Sequence, residues 1–214
     1  MIERLLEHAR RRGAGAADAL WRRAERTSVA FESGRLKAAG VTEEAGVNLR
    51  VVSGGRVGIA GSTAVDAAPE DVVARALASA ELGETLDLAF PPRAPLPHVP
   101  TSFDRAATAS LDALIEIGRQ LVAQLAREGC QVNVTVEREA AETRVANTVG
   151  TDATYPSTGV AVSADVWRVS GDDVLALGDG FQGADLPGPA DLARLVQSIN
   201  TRLDLALTIT AVEG

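Results

Sequence analysis

The chain has 214 residues, of which 46% are hydrophobic and 23% charged, enough for a packed core and too apolar for intrinsic disorder. Acidic residues outnumber basic ones 29 to 21, a net charge of −8, which argues against a duplex-DNA binder built on a basic surface. One cysteine excludes an intrachain disulfide, and no apolar run approaches the ~20 residues needed to cross a bilayer.

The N-terminus, MIERLLEHARRR, places Ile2, Leu5, Leu6 and Ala9 on one helical face. Charges interrupt it too often for a signal peptide, so a cytoplasmic protein is expected. Gly13 supplies the helix stop. Strands follow: Val29–Phe31 and Leu36 flank a Ser33-Gly34 turn, and Val47, Leu49 and Val51 alternate with Asn48 and Arg50. Ser53-Gly54-Gly55 then turns the chain into a return strand through Val57 and Ile59. Pro69, followed by Glu70 and Asp71, opens a second helix, because proline suits the first helical position and acids its positive end.

Residues 89–100, AFPPRAPLPHVP, hold five prolines and predict an extended polyproline linker. Beyond it the pattern repeats. A helix near Ser110–Arg127 carries the stripe Leu111, Leu114, Ile115, Leu121, Val122 and Leu125 and stops at Gly129. Val132, Val134 and Val136 alternate as a strand, as do Val160, Val162, Ala164 and Val166. A turn at Ser170–Asp173 follows, and Pro189 opens a last helix with the stripe Leu192, Leu195, Val196, Ile199 and Leu203. Leu205 to Thr210 alternates like a strand, and an unpaired apolar edge there is expected to recruit a second copy as a two-fold dimer.

Gly13 and Gly129, Gly34 and Gly150, and Gly46 and Gly159 are separated by 116, 116 and 113 positions. The expected fold class is therefore α+β, two similar subdomains of antiparallel sheet with flanking helices, arising by duplication of an α-β-β-β-β-α unit. The expected divisions are 1–88, a linker at 89–108, and 109–214.

Residue types that make active sites are scarce. A zinc peptidase helix needs two histidines a turn apart beside a carboxylate, and this chain has only His8 and His98. No Gly-x-Ser-x-Gly elbow and no phosphate loop is present, and Asp172, Asp173 and Asp179 read as hairpin residues rather than a calcium loop. Cys130, beside Gly129, reads as a buried structural thiol. The clustered Arg10–Arg12, Arg22, Arg23 and Arg26 read as solvated helix ends and strand edges. Trp21 and Trp167, in corresponding strands, are expected in the core unless one marks a partner or peptide surface. No catalytic, cofactor-binding or metal residue is assigned.

An ordered set of segments resembles the N-terminal domain of the TldD/PmbA family, labelled modulators of DNA gyrase and understood as metal-dependent peptidase subunits. The set is Gly15-Ala16-Ala17-Asp18, Ser33-Gly34-Arg35-Leu36, Ala45–Val51, Gly55–Ala60 and, more loosely, Ala146-Asn147-Thr148-Val149-Gly150. The resemblance implies a His-Glu-x-x-x-His motif in a C-terminal domain that would begin near Ala211–Gly214. Zinc is then implied for a full-length TldD-type member or its partner, and none for these residues. The function it implies is assembly with a TldD/PmbA-type subunit, as homo- or hetero-oligomer, and shaping of a chamber for unfolded peptides or small proteins. The chain alone is then inactive and contacts neither nucleic acid nor membrane. The alternative is a stand-alone non-catalytic binding or scaffold module of the same fold.

Overall fold

The computed structural model describes residues 1–64 and 67–207. The elements are α1 (Ile2–Arg11), β1 (Ala16–Glu32), β2 (Arg35–Ser53), β3 (Arg56–Ser62), α2 (Pro69–Glu81), α3 (Asp104–Ala107), α4 (Leu111–Leu125), β4 (Cys130–Asn147), β5 (Asp152–Ser170), β6 (Asp173–Gly183) and α5 (Pro189–Leu207). The strands form a six-stranded sheet in the order β3-β2-β1-β4-β5-β6, and the outer pairs are antiparallel hairpins. The α+β class therefore holds, with the order α-β-β-β-α running twice through the chain.

The expectation of four strands per repeat is corrected: among the described residues each repeat has three. Four of the six strands run 17–19 residues, so stretches that look like two short strands are one long one. The later glycine pairs fall in matching places and the first does not. Gly13 directly follows the α1 cap Arg12, whereas Gly129 lies three residues past the α4 cap Ala126 and leads into β4 rather than stopping the helix; Gly34 and Gly150 turn between strands, and Gly46 and Gly159 lie within β2 and β5. Gly54 and Gly55, with φ of 56° and 76°, make the two-residue β2–β3 turn, whose positive angles suit the twist of a hairpin.

By contact, the chain divides into two compact units. One is Met1–Ala24, Glu43–Thr101 and Ala141–Ser157; the other is Glu25–Thr42, Ser102–Ala140 and Thr158–Gly214. The sequence divisions at 1–88, 89–108 and 109–214 follow the chain, whereas each unit takes strand segments from both sides of the linker. Within the span read as linker, residues 104–107 form the short helix α3.

The first unit closes α1 and α2 over its part of the sheet. Ile2, Leu5, Leu6 and Ala9 of α1 and Val72, Val73, Ala76 and Ala80 of α2 meet Ala17, Ala19, Val47, Leu49 and Val51. Gly58 of β3 lies so close to α2 that a Cβ there would collide with the backbone at Ala76 and Ala80. The second unit packs Leu114, Leu121 and Leu125 of α4 and Leu195, Ile199 and Leu203 of α5 against Val29, Phe31, Val132–Val136 and Val160–Val166. The Ser110 hydroxyl caps α4 by accepting from the Ala113 N–H at 3.2 Å.

Two details depart from expectation. Leu205, Ala206 and Leu207 continue α5 rather than beginning a strand, and Thr208–Thr210 lie outside the described residues. Trp167 is 44% exposed, because Val160, Val162, Ala164 and Val166 take the inward positions of β5 and leave residue 167 on the outer face.

The first unit also holds an ion cluster. Arg144 donates to both carboxylate oxygens of Asp152 at 2.9 and 2.7 Å and pairs with Glu3 at 2.6 Å. The Arg144 hydrogen bond holds Asp152 below its ordinary 3.8. A backbone hydrogen bond first, and Arg144 second, hold Glu3 below 4.5.

Two outcomes follow from this packing. Gly58→Ala should lower unfolding stability by roughly 2–3 kcal/mol, as overpacking against backbone does, while Gly40→Ala, with open space around it, should change it by less than about 0.5 kcal/mol; urea titration reads both. Depressed carboxylates stabilise the fold above their unfolded values and lose that contribution as pH falls through the folded ones. Stability should therefore decline below about pH 4, and Asp152→Asn should flatten that acid limb, as measured by urea midpoints across pH.

Candidate peptide groove

β2 has 19 residues and β3 only 7. Their register ends at Val47 opposite Ser62, so Glu43–Gly46 run past the end of β3. Among the described residues this stretch has no strand paired on its outer side, and such an edge presents backbone donors and acceptors outward. A groove of about 550 Å³ opens beside this segment, within the first unit. Its apolar wall is half-buried Trp21, with Ala45 and Val47. Ser62 and Thr63 place hydroxyls along one side, and Arg23 and Glu43 pair at 2.8 Å on the rim. Gly46 lets the chain at Ser62 and Thr63 pass close beside β2, since a Cβ there would approach the Ser62 carbonyl oxygen to 3.3 Å.

A second depression of about 460 Å³ borders the same Glu43–Gly46 segment through Leu20 and Arg22, which alternate with Trp21 along β1. An extended chain laid beside Glu43–Gly46 would thus meet a recess for each of its alternating side chains.

The strands beneath are held by Arg50. It donates to Asp18 through Nε at 2.9 Å and Nη2 at 2.7 Å, and its guanidinium carbon lies 5.1 Å from the Phe90 ring centroid. The Asp18 hydrogen bonds raise the Arg50 pKa above its ordinary value. Both partners belong to segments singled out in the sequence, Gly15–Asp18 and Ala45–Val51. The Ala146–Gly150 segment is likewise a fastening. Asn147 Oδ1 accepts from the N–H of Val149 and of Thr151, both at 3.0 Å, while its Nδ2 donates to the Pro91 carbonyl at 2.9 Å.

The residues weighed for chemistry do not assemble. His8 is half-buried on α1, 3.7 Å from Glu70 and 3.3 Å from an Arg11 nitrogen. His98 is exposed in the linker. Cys130 is half-buried at the start of β4, packed against the second core rather than enclosed by it. Asp172 and Asp173 sit at the β5–β6 turn, and Asp179 accepts from the Gly180 N–H at 2.8 Å and pairs with Arg202 at 3.4 Å. Arg10 donates to the Thr148 carbonyl, and Arg26 pairs with Glu139 at 3.1 Å. Among the described residues, no three His, Cys, Asp or Glu side chains group so as to hold a metal ion. The metal implied by the resemblance therefore finds no fitting donor set among the described residues. Nor is any helix among them long and apolar enough to cross a membrane.

Residues 17–80 match the family described as PmbA/TldA metallopeptidase domain 1. A comparison with curated proteins finds no match. Solved structures share the fold at low identity. TldE from Thermococcus kodakarensis is 17% identical with a TM-score of 0.77, over 92% of this chain and 47% of that one. A proposed modulator of a DNA gyrase from Thermotoga maritima is 16% identical with a TM-score of 0.80, over 99% and 49%. A proposed modulator of DNA gyrase from Bacteroides thetaiotaomicron is 15% identical with a TM-score of 0.79, over 93% and 48%. The chain thus spans about half the length of these structures. Residues 17–80 thus resemble the first domain of the PmbA/TldD metallopeptidases, and the chain has the fold that these structures share.

Proposed function

We propose that this chain is the N-terminal assembly and substrate-shaping domain of a TldD/PmbA-like metal-dependent peptidase subunit. The observation that carries the reading is the match of residues 17–80 to a metallopeptidase first domain, in a chain about half as long as the structures that share its fold. In this reading the groove beside Glu43–Gly46 holds an unfolded peptide in extended form. Backbone hydrogen bonding supplies affinity with little regard to sequence, and the recesses at Trp21 and at Leu20 favour apolar side chains. Metal and bond cleavage come from a part of the full subunit beyond these residues or from a partner subunit, in a homo- or hetero-oligomer. A cytoplasmic location suits a chain whose one cysteine pairs with no other.

The test uses Trp21 as reporter, with Trp167→Phe removing the second indole. Titration with an unstructured apolar peptide should shift Trp21 emission saturably. Ala45→Pro, which removes an N–H of the same outward alternation as Val47, should weaken binding about tenfold, the loss of one or two backbone hydrogen bonds. Emission that stays flat, or is indifferent to Ala45→Pro, contradicts peptide holding at this edge. The chain alone should retain no stoichiometric zinc after dialysis against a weak chelator and should cleave no peptide, and cleavage should appear on mixing with a metal-bearing partner subunit. Zinc retention or cleavage by the chain alone contradicts the assignment of catalysis elsewhere.

A further inference from the structure

We propose that the proline-rich segment Pro92–Pro100 is a docking peptide for an aromatic-walled, carboxylate-rimmed groove on another protein, of the kind that reads polyproline II helices. Every residue from Phe90 to Pro100 except Arg93 and His98 is a proline or precedes one. Proline fixes its own φ near −65° and pushes the preceding residue into extended geometry, so almost every backbone position here is set in advance. Residues 91–100 are all exposed and belong to no helix or strand.

The segment is tied by hydrogen bonds at both ends; between them Arg93 adds a weak electrostatic pull on Asp152. The Pro91 carbonyl accepts from Asn147 Nδ2 at 2.9 Å and Thr151 Oγ1 at 2.7 Å. At the far end the Thr101 hydroxyl donates to the Pro156 carbonyl at 2.6 Å. No hydrogen bond ties Pro92–Pro100 to the rest of the described residues. A ligand stiffened by its own prolines and held at its ends loses little conformational entropy on binding.

The side chains have the matching period. A polyproline II helix repeats every three residues. Leu96-Pro97 and Val99-Pro100 are therefore two aliphatic-proline pairs one turn apart, and Arg93, Leu96 and Val99 line one edge. Leu96 is 67% exposed and Val99 60%, large apolar surfaces on a segment that contributes nothing to either core. Charge selects the rim. Between Ala89 and Phe103 the titratable side chains are Arg93 and His98, with no acid, in a chain of net charge −8. This is a cationic stretch on an acidic protein, and it calls for carboxylates beside the aromatic wall.

The experiment titrates the full chain, isotopically labelled, with a purified SH3-type domain that has an aromatic groove and an acidic rim. The expected result is saturable binding with chemical-shift changes confined to residues 92–101. Leu96→Asp and Val99→Asp should each weaken it about tenfold, the loss expected from one buried aliphatic side chain. Arg93→Ala should remove most of its salt dependence. Replacing the groove tryptophan of the probe domain should abolish binding, and the thermal midpoint of each variant reports that the fold is kept. The wild-type shift map stands without any variant. No saturation, shifts elsewhere in the chain, or binding indifferent to Leu96→Asp overturns the proposal. So does loss of binding when a TldD/PmbA partner subunit is added, which would assign the segment to subunit assembly.

Discussion

The constraint on which the structure depends is that single strands serve two cores. β1 gives Ala17 and Ala19 to one core and Val29 and Phe31 to the other. β4 gives Val132, Val134 and Val136 to the second core and Ala146 to the first. The period of two must therefore persist across stretches that are not themselves apolar, such as Arg22–Arg26 and Glu137–Glu142. Those stretches are held by ion pairs instead. Buried Arg138 meets Glu25, Arg26 meets Glu139, and Arg23 meets Glu43. The two more exposed pairs, Arg26–Glu139 and Arg23–Glu43, add little stability each. Their charges nevertheless disfavour any register that would bury them unpaired.

The same constraint accounts for what could be read from the sequence. The boundaries of the longer helices were legible to within about two residues where their signals are local: Pro69 and Pro189 at starts, Gly13 as a stop. The hairpin turns at Ser33-Gly34 and Gly54-Gly55 were legible because their left-handed angles favour glycine. The strand count was not. Lys37 to Gly46, KAAGVTEEAG, has weak strand propensity and two glycines, and sequence alone breaks it. In the structure it is continuous β2, where ladder pairing outweighs propensity. Two interleaved units are equally invisible to a reading that groups residues by position along the chain.

That same misread stretch hid the groove. Glu43–Gly46 becomes an edge only when β2 is known to outrun β3, and a difference in strand length has no local signature. Trp21 was noticed for its size, but its place beside that edge follows from tertiary structure. By contrast, residues 91–100 belong to no helix or strand, in keeping with the geometry proline imposes, while the helix at 104–107 within the span read as linker had no such signal. What the structure adds there is the fastening at Asn147 and Thr151, which turns the loose Ala146–Gly150 resemblance into a physical role.

Shared strands make a claim about cooperativity. Trp21 lies in one compact unit and Trp167 in the other, so single-tryptophan variants Trp167→Phe and Trp21→Phe report on each separately. The most direct measurement is urea unfolding followed by the emission of each. Strands that continue from one core into the other predict coincident midpoints and equal slopes, as one cooperative transition requires. Two separated transitions, one per tryptophan, would contradict the account.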